Sequence, residues 1–141
     1  MIPFRLALQP GVAVSEQILY AATKAIVSGQ MRSGDPFPSV RALSRELKVN
    51  PNTAHKVVLQ LTNQGLVEVL PGIGTVVAAT LPKATAAARA ELLGGELEGL
   101  VVEAKKLGIQ LDDVLDAVTR HWRRIGGAEL APSTKGGRKS E

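Results

Sequence analysis

The spacing of hydrophobic and polar positions changes several times along the chain, and each change marks an element. Phe4, Leu6 and Leu8 alternate between Pro3 and the Pro10-Gly11 pair, which predicts an extended arm with a turn over residues 1–14. Ser15 stands where an N-cap belongs, and from Glu16 to about Gln30 the apolar residues Ile18, Leu19, Ala22, Ala25 and Ile26 recur at helical spacing. Gly29 and Gly34 mark the end of that helix, and Pro36-Phe37-Pro38 is a rigid connector. Ser39 then caps a second helix reaching about Leu47, with Leu43 and Leu47 inward and Arg41 and Arg45 one turn apart on another face. After Lys48-Val49, Asn50 is a strong N-cap residue, and Pro51 occupies the first helical position, where its missing N–H costs nothing. In this third helix Ala54, Val57, Val58 and Leu61 fall within an arc of about 100°. Gly65 ends it, and Leu66-Val67-Glu68-Val69-Leu70, Pro71-Gly72-Ile73-Gly74 and Thr75-Val76-Val77 read as two strands around a glycine-rich turn.

Beyond Pro82 the pattern is helical again. From about Ala84 to Lys106 it places Leu93, Leu97, Leu100, Ala104 and Leu107 at spacings of four, three, four and three, a heptad seam. Gly94, Gly95 and Gly99 lower helix propensity, which implies either close backbone approach or a break near Gly94-Gly95. Gly108 closes the helix. Asp112 and Asp113 suit the first turn of a last helix, whose apolar face is Val114, Leu115, Val118 and Trp122. From Gly126 onward Gly, Pro, Ser and basic residues predominate, and a disordered basic tail is expected.

Composition narrows the chemistry. The 141 residues suffice for one compact domain with an appendage. The formal charge is +4, and it is uneven, because residues 1–78 carry seven Lys/Arg against four Asp/Glu. With so few aromatic residues, a partner held by stacking on exposed rings is not expected. The absence of Cys excludes disulfides, thiolate metal sites and cysteine nucleophiles. The two histidines, His55 and His121, fall in different elements, so no metal site and no cofactor is expected. No phosphate loop or nucleophile motif points to an enzyme. No apolar run is long enough to span a bilayer and the start lacks a leader pattern, so a cytoplasmic protein is expected.

The polar face of the third helix carries the functional signal. Opposite its apolar arc lie Asn52, Thr53, Lys56, Gln60 and Asn63 instead of the Glu/Lys mixture of a merely solvated helix. Asn and Gln amides match adenine edges, Thr can meet a base or a thymine methyl, and Lys can reach guanine acceptors or phosphate. Arg41 and Arg45, one helix earlier, suit phosphate oxygens and a positioning role. Two helices joined by a short turn, the second polar outward, make a helix-turn-helix, with the hairpin as a wing whose Gly72 and Gly74 bring backbone N–H groups toward the sugar-phosphate edge. His55 flanks the stripe, either as a phosphate contact or as an uncommitted surface histidine, and Leu59 lies outward, against either a thymine methyl or the wing.

Glu16-Gln17-Ile18, Ser28-Gly29, Pro38-Ser39-Val40-Arg41-Ala42-Leu43, Val49-Asn50-Pro51-Asn52-Thr53, Gly65-Leu66-Val67-Glu68 and Gly72-Ile73-Gly74-Thr75 resemble the winged helix-turn-helix of the GntR family of bacterial transcription regulators. Asn50-Pro51-Asn52-Thr53, with only two helices predicted after the wing, resembles the short YtrA-type subfamily. The resemblance implies a homodimer bound to an inverted-repeat operator on double-stranded DNA, usually as a repressor and often beside ABC-transporter genes. It places DNA contacts on Arg41, Arg45, Asn50, Asn52, Thr53, His55, Lys56 and Gly72, to which the polar stripe adds Gln60. Many family members carry Lys or Arg at the wing tip, whereas Pro71 and Ile73 flank Gly72 here.

The expected fold is therefore mainly α. A winged helix-turn-helix of three helices and a β-hairpin, with its arm, spans residues 1–78, a two-helix dimerisation region spans 79–125, and the tail spans 126–141. Leu93, Leu97, Leu100, Ala104, Leu107, Val114, Leu115, Val118 and Trp122 are the candidate dimer contacts, although the seam could instead pack on the last helix of its own chain. A small-molecule effector is left open, and any pocket for one would come from the dimer interface. The alternative function is a protein-interaction module built on the same winged helix.

Overall fold

Side-chain caps at Ser39, Asn50 and Thr85 each set the start of a helix. The structure is a computed structural model that describes residues 2–126. It falls into two units, one ending at Pro82 and the other spanning Lys83–Ile125. The expected tail, apart from Gly126, lies outside the described residues.

In the first unit, α1 (Val14–Val27) begins earlier than expected. Ser15 is not its cap. Ala13 holds that place with an extended backbone, and its carbonyl accepts from the N–H groups of Glu16 and Gln17. The cause is Gln17, which pins the preceding turn: its Oε1 accepts from the Gln9 N–H at 2.8 Å, and its Nε2 donates to the Gln9 and Val12 carbonyls at 2.9 Å each. The chain is thereby turned into the helix before Ser15. At the other end α1 stops at Val27, and Gly29 takes a left-handed φ of 86°.

Helix α2 (Val40–Leu47) starts at Ser39, whose Oγ accepts from the Ala42 N–H at 3.1 Å. Helix α3 (Pro51–Asn63) starts at Asn50, whose Oδ1 accepts from the Asn52 N–H at 2.7 Å. Both caps agree with the sequence pattern. Helix α3 closes with Gly65 in the left-handed region (φ 76°) and the Leu66 N–H on the Leu61 carbonyl at 3.0 Å, a Schellman arrangement.

The wing is an antiparallel hairpin of β1 (Val67–Leu70) and β2 (Gly74–Val77), paired Val67 to Val77 and Leu70 to Gly74. Gly74 therefore belongs to a strand, and the turn is tighter than expected. The Ile73 N–H returns to the Leu70 carbonyl at 3.0 Å, with Pro71 and Gly72 (φ 77°) in the two central positions that such a type II turn favours. The Pro36-Phe37-Pro38 connector does more than join helices. The Gly34 and Phe37 N–H groups donate to the Val77 and Thr75 carbonyls at 2.9 and 2.8 Å, and the Val77 N–H donates to the Asp35 carbonyl at 2.9 Å. This covers the outer side of β2 and ties the wing to the chain entering α2.

Ile18, Leu43, Val57 and Leu61 are fully buried at the centre of the core, with Ala22, Ala25, Ala54, Val67 and Val77 around them. The Phe4 and Phe37 rings stack at 6.4 Å between centroids, so the N-terminal arm is part of this core. Burial of Ile18, Leu43, Val57 and Leu61 contributes roughly 1.5–3 kcal/mol each and holds α3 against α1 and α2.

In the second unit, α4 (Ala86–Ala90) is capped by Thr85 and runs without a break into a π-helical turn, Glu91–Glu96, and then α5 (Leu97–Lys106). The glycine pair does not interrupt the helix; it lies inside the widened turn, and a Cβ at Gly94, Gly95 or Gly99 would meet no atom within 4 Å. Close approach within the chain therefore does not explain these glycines. Gly108 (φ 74°) ends α5, and α6 (Leu111–Ile125) follows with Asp112 and Asp113 in its first turn. Helix α6 packs only sparsely on α5, and Ala104 is the one buried residue of the unit among those described.

Candidate nucleic-acid interface

The candidate surface is built from α2, its turn and α3. Helix α2 ends at Leu47, and Lys48 caps it with φ 57° and ψ 47°, the left-handed conformation. The turn is stitched at Ser44: its carbonyl accepts from the Lys48 and Val49 N–H groups, and its Oγ donates to the Val49 carbonyl at 2.7 Å. Half-buried Val49 packs against the core and fixes how the chain enters α3.

Helix α3 is held from behind by Ala54, Val57 and Leu61, all wholly buried. Its outward face carries Asn52, His55, Lys56, Leu59 and Asn63, all exposed. Thr53 and Gln60 are half-buried along one flank, so the exposed line runs nearer His55 and Leu59 than the sequence wheel suggests. Asn50 is exposed, with Oδ1 occupied by the cap and its amide NH2 without a partner among the described residues. Arg41 and Arg45 are exposed one turn apart on α2. Among the described residues no salt bridge engages Arg41, Lys48 or Lys56, while the Arg45 charge lies near enough to Glu46 for the two to interact.

Gly72 is exposed at the tip of the wing, next to Ile73, which is 73% exposed. Between Lys56 and Lys83 the sole charged residue is Glu68, so the wing offers backbone and apolar surface in place of charge. Two exposed residues of this surface, Lys48 and Ile73, were not among the contacts expected from the sequence. A run of turn residues with one Lys gave no sign of a left-handed backbone, which glycine usually announces, and Ile73, read as part of the glycine-rich turn, carries no donor or charge to mark it as a contact.

The candidate dimer residues occupy the second unit. Leu93, Leu97, Leu100, Leu107, Leu115, Val118 and Trp122 are exposed, Val114 is half-buried and Ala104 is buried. Two apolar lines at heptad spacing, Leu93-Leu97-Leu100-Ala104-Leu107 and Leu111-Leu115-Val118-Trp122, thus stand largely open to solvent. Among the described residues there is no cluster of three or more His, Asp or Glu able to hold a metal ion, and no helix long and apolar enough to cross a membrane.

Comparison with known proteins agrees with this architecture. The family model for bacterial regulatory proteins of the gntR family matches residues 14–77. The chain is 27% identical over 128 residues to the HTH-type transcriptional repressor YtrA of Bacillus subtilis (strain 168), covering 91% of this chain and 92% of the relative. It is 30% identical over 105 residues to the HTH-type transcriptional regulator YhcF of the same organism, covering 74% and 83%. A solved structure, a transcriptional antiterminator from Listeria monocytogenes EGD-e, shares the fold with a TM-score of 0.75 at 21% identity, covering 92% of this chain and 97% of that one. The relatives are regulators and not enzymes, and their likeness extends beyond the wing into the helices that follow it. The chain therefore belongs to the GntR family of bacterial regulatory proteins, a transcriptional regulator whose first unit is its winged-helix DNA-binding domain.

Proposed function

We propose that the protein is a homodimeric repressor that reads an inverted-repeat operator with the outward face of α3 from each protomer. The observation that carries this reading is α3 itself. Ala54, Val57 and Leu61 fix its orientation from behind, while Asn52, His55, Lys56 and Asn63 are exposed on the outward face. In a major groove such amides and cations have base-edge acceptors and donors to meet. Asn52 and Lys56 are assigned to bases, and Thr53 and Gln60 to the flank of the same contact. Asn50 contributes its amide NH2, Arg41, Arg45 and His55 hold phosphates, and Gly72 brings the wing backbone to the minor-groove side.

The dimer rests on the second unit. A helical pair with one buried residue cannot support itself, and a second copy laid on the two open heptad lines would cover them. The twofold symmetry of such a dimer is what an inverted repeat matches. The sense of regulation, repression, follows the name of the relative at 27% identity. The family resemblance adds an ABC-transporter operon as the expected target.

The test is a fluorescence-anisotropy titration against DNA from immediately upstream of the protein's own gene, with a scrambled duplex as control, at low and high salt. Tight, salt-sensitive binding of two protomers to the upstream duplex alone is the expected result. Equal weak binding to both duplexes, together with a protein partner that survives nuclease treatment, would replace this reading with the protein-interaction module.

A further inference from the structure

The turn between α2 and α3 contains an unexplained choice of residue. Lys48 is, among the described residues, the only non-glycine with a positive φ. Nothing local requires a Cβ there: the cap bond to the Ser44 carbonyl comes from the Lys48 backbone, and its side chain has no ion-pair partner among the described residues. Glycine would take this conformation without strain, and an asparagine would take it with less than lysine does. The position instead holds a long cation that is exposed to solvent. Strain kept at one residue points to a use for that side chain when the fold itself gains little from it.

The surroundings say what the use is. Lys48 follows Arg41 by seven residues and Arg45 by three, and it precedes the Asn50 cap of the helix with the amide-rich outward face. The three cations run along α2 to the point where the chain enters α3. A left-handed residue also swings its side chain out of the path that a continued helix would take. We propose that Lys48 is a phosphate contact of the DNA-bound protein, a positioning residue that sets the register of α3 on the duplex, and that this contact is why the turn keeps a strained lysine in place of glycine. The proposal rests on the DNA-reading function above.

A rival explanation is that the Lys48 charge merely favours the C-terminal end of the α2 dipole. The two differ in what they predict. The probe is a duplex selected by the wild-type protein from a random library, titrated over a range of salt concentrations with the full chain. Melting temperature is measured on the same variants without DNA.

Lys48→Gly is expected to raise the melting temperature while lowering affinity about fivefold, and to reduce the slope of log affinity against log salt by about one per bound protomer. Lys48→Asn separates strain from charge: it also loses the slope but keeps a left-handed-tolerant side chain. Lys48→Arg should retain both affinity and slope. Sequence preference should be unchanged in all three, since a phosphate contact carries no base information. An unchanged salt slope in Lys48→Gly overturns the contact, and a melting temperature that falls in Lys48→Gly overturns the strain argument behind it. A wild-type protein that enriches no duplex overturns the DNA-reading function and this contact together, whereas wild-type enrichment with an unchanged variant slope overturns the contact alone.

Discussion

Asn50→Ala separates the structural role of one side chain from its assigned role at DNA. In the first turn of α3, Pro51 has no N–H, and the N–H groups of Thr53 and Ala54 both reach the Asn50 carbonyl, at 2.9 and 3.1 Å. The Asn52 N–H is therefore the single donor that depends on the Asn50 side chain, at 2.7 Å. Both residues are exposed, so water can replace the lost acceptor, and the cost should sit near the middle of the range for a cap, about 1 kcal/mol. For a unit of this size that corresponds to a fall in melting temperature of about 4–8 °C. Asn50→Ser restores an acceptor and should melt close to the wild type. Asn50→Asp should melt at or slightly above it, because its charge favours the N-terminal end of the helix dipole. Binding should follow a different order. Serine lacks the amide NH2 and aspartate adds a negative charge beside phosphates, so both should bind the selected duplex several-fold more weakly despite intact stability. Thermal melts by circular dichroism, paired with anisotropy titrations, measure the two orders. An alanine variant that melts with the wild type, or an aspartate variant as unstable as alanine, refutes the capping argument; a serine variant that binds like the wild type refutes the DNA contact.

Two further outcomes test other parts of the account. Leu115→Asp puts a carboxylate on the open line of α6, and with about 2 kcal/mol lost per buried leucine in each of two copies, dissociation should rise roughly a thousandfold. Light scattering should then find monomers at concentrations where the wild type is dimeric, and a persistent dimer would place the interface elsewhere. Ile73→Lys adds a cation to the uncharged tip of the wing. It should tighten binding to unrelated duplexes and steepen the salt dependence, and no change would mean the wing stays away from the DNA backbone.

What the sequence disclosed about this fold was mostly local. Ser39, Asn50 and Pro51 announce their helices because caps act through neighbouring backbone groups, and the structure places all three as expected. The inward face of α3 was legible because helical spacing alone puts Ala54, Val57 and Leu61 together. Features that depend on distant partners were not. Ser15 looked like a cap, yet Gln17 decides where α1 begins by holding the arm at Gln9 and Val12. The pairing of Gly34, Asp35 and Phe37 with β2 joins segments far apart in sequence, and a Pro-Phe-Pro run does not signal a strand partner. The π-helical turn at Glu91–Glu96 escaped because apolar spacing over so few residues does not distinguish it from an α-helix, and the glycine pair pointed equally to a break. Lys48 was hidden for the reason that makes it informative, namely that its backbone conformation is one a lysine seldom takes.

The most direct test of the central claim, that the outward face of α3 reads bases, compares the duplexes selected from a random library by the wild type and by Asn52→Ala. The account predicts that the wild type enriches an inverted repeat, and that the variant loses preference at one base pair in each half-site, weakening binding by about 1–3 kcal/mol, while every other position stays the same. An identical enriched sequence for both proteins, with affinity lowered uniformly or not at all, would contradict it.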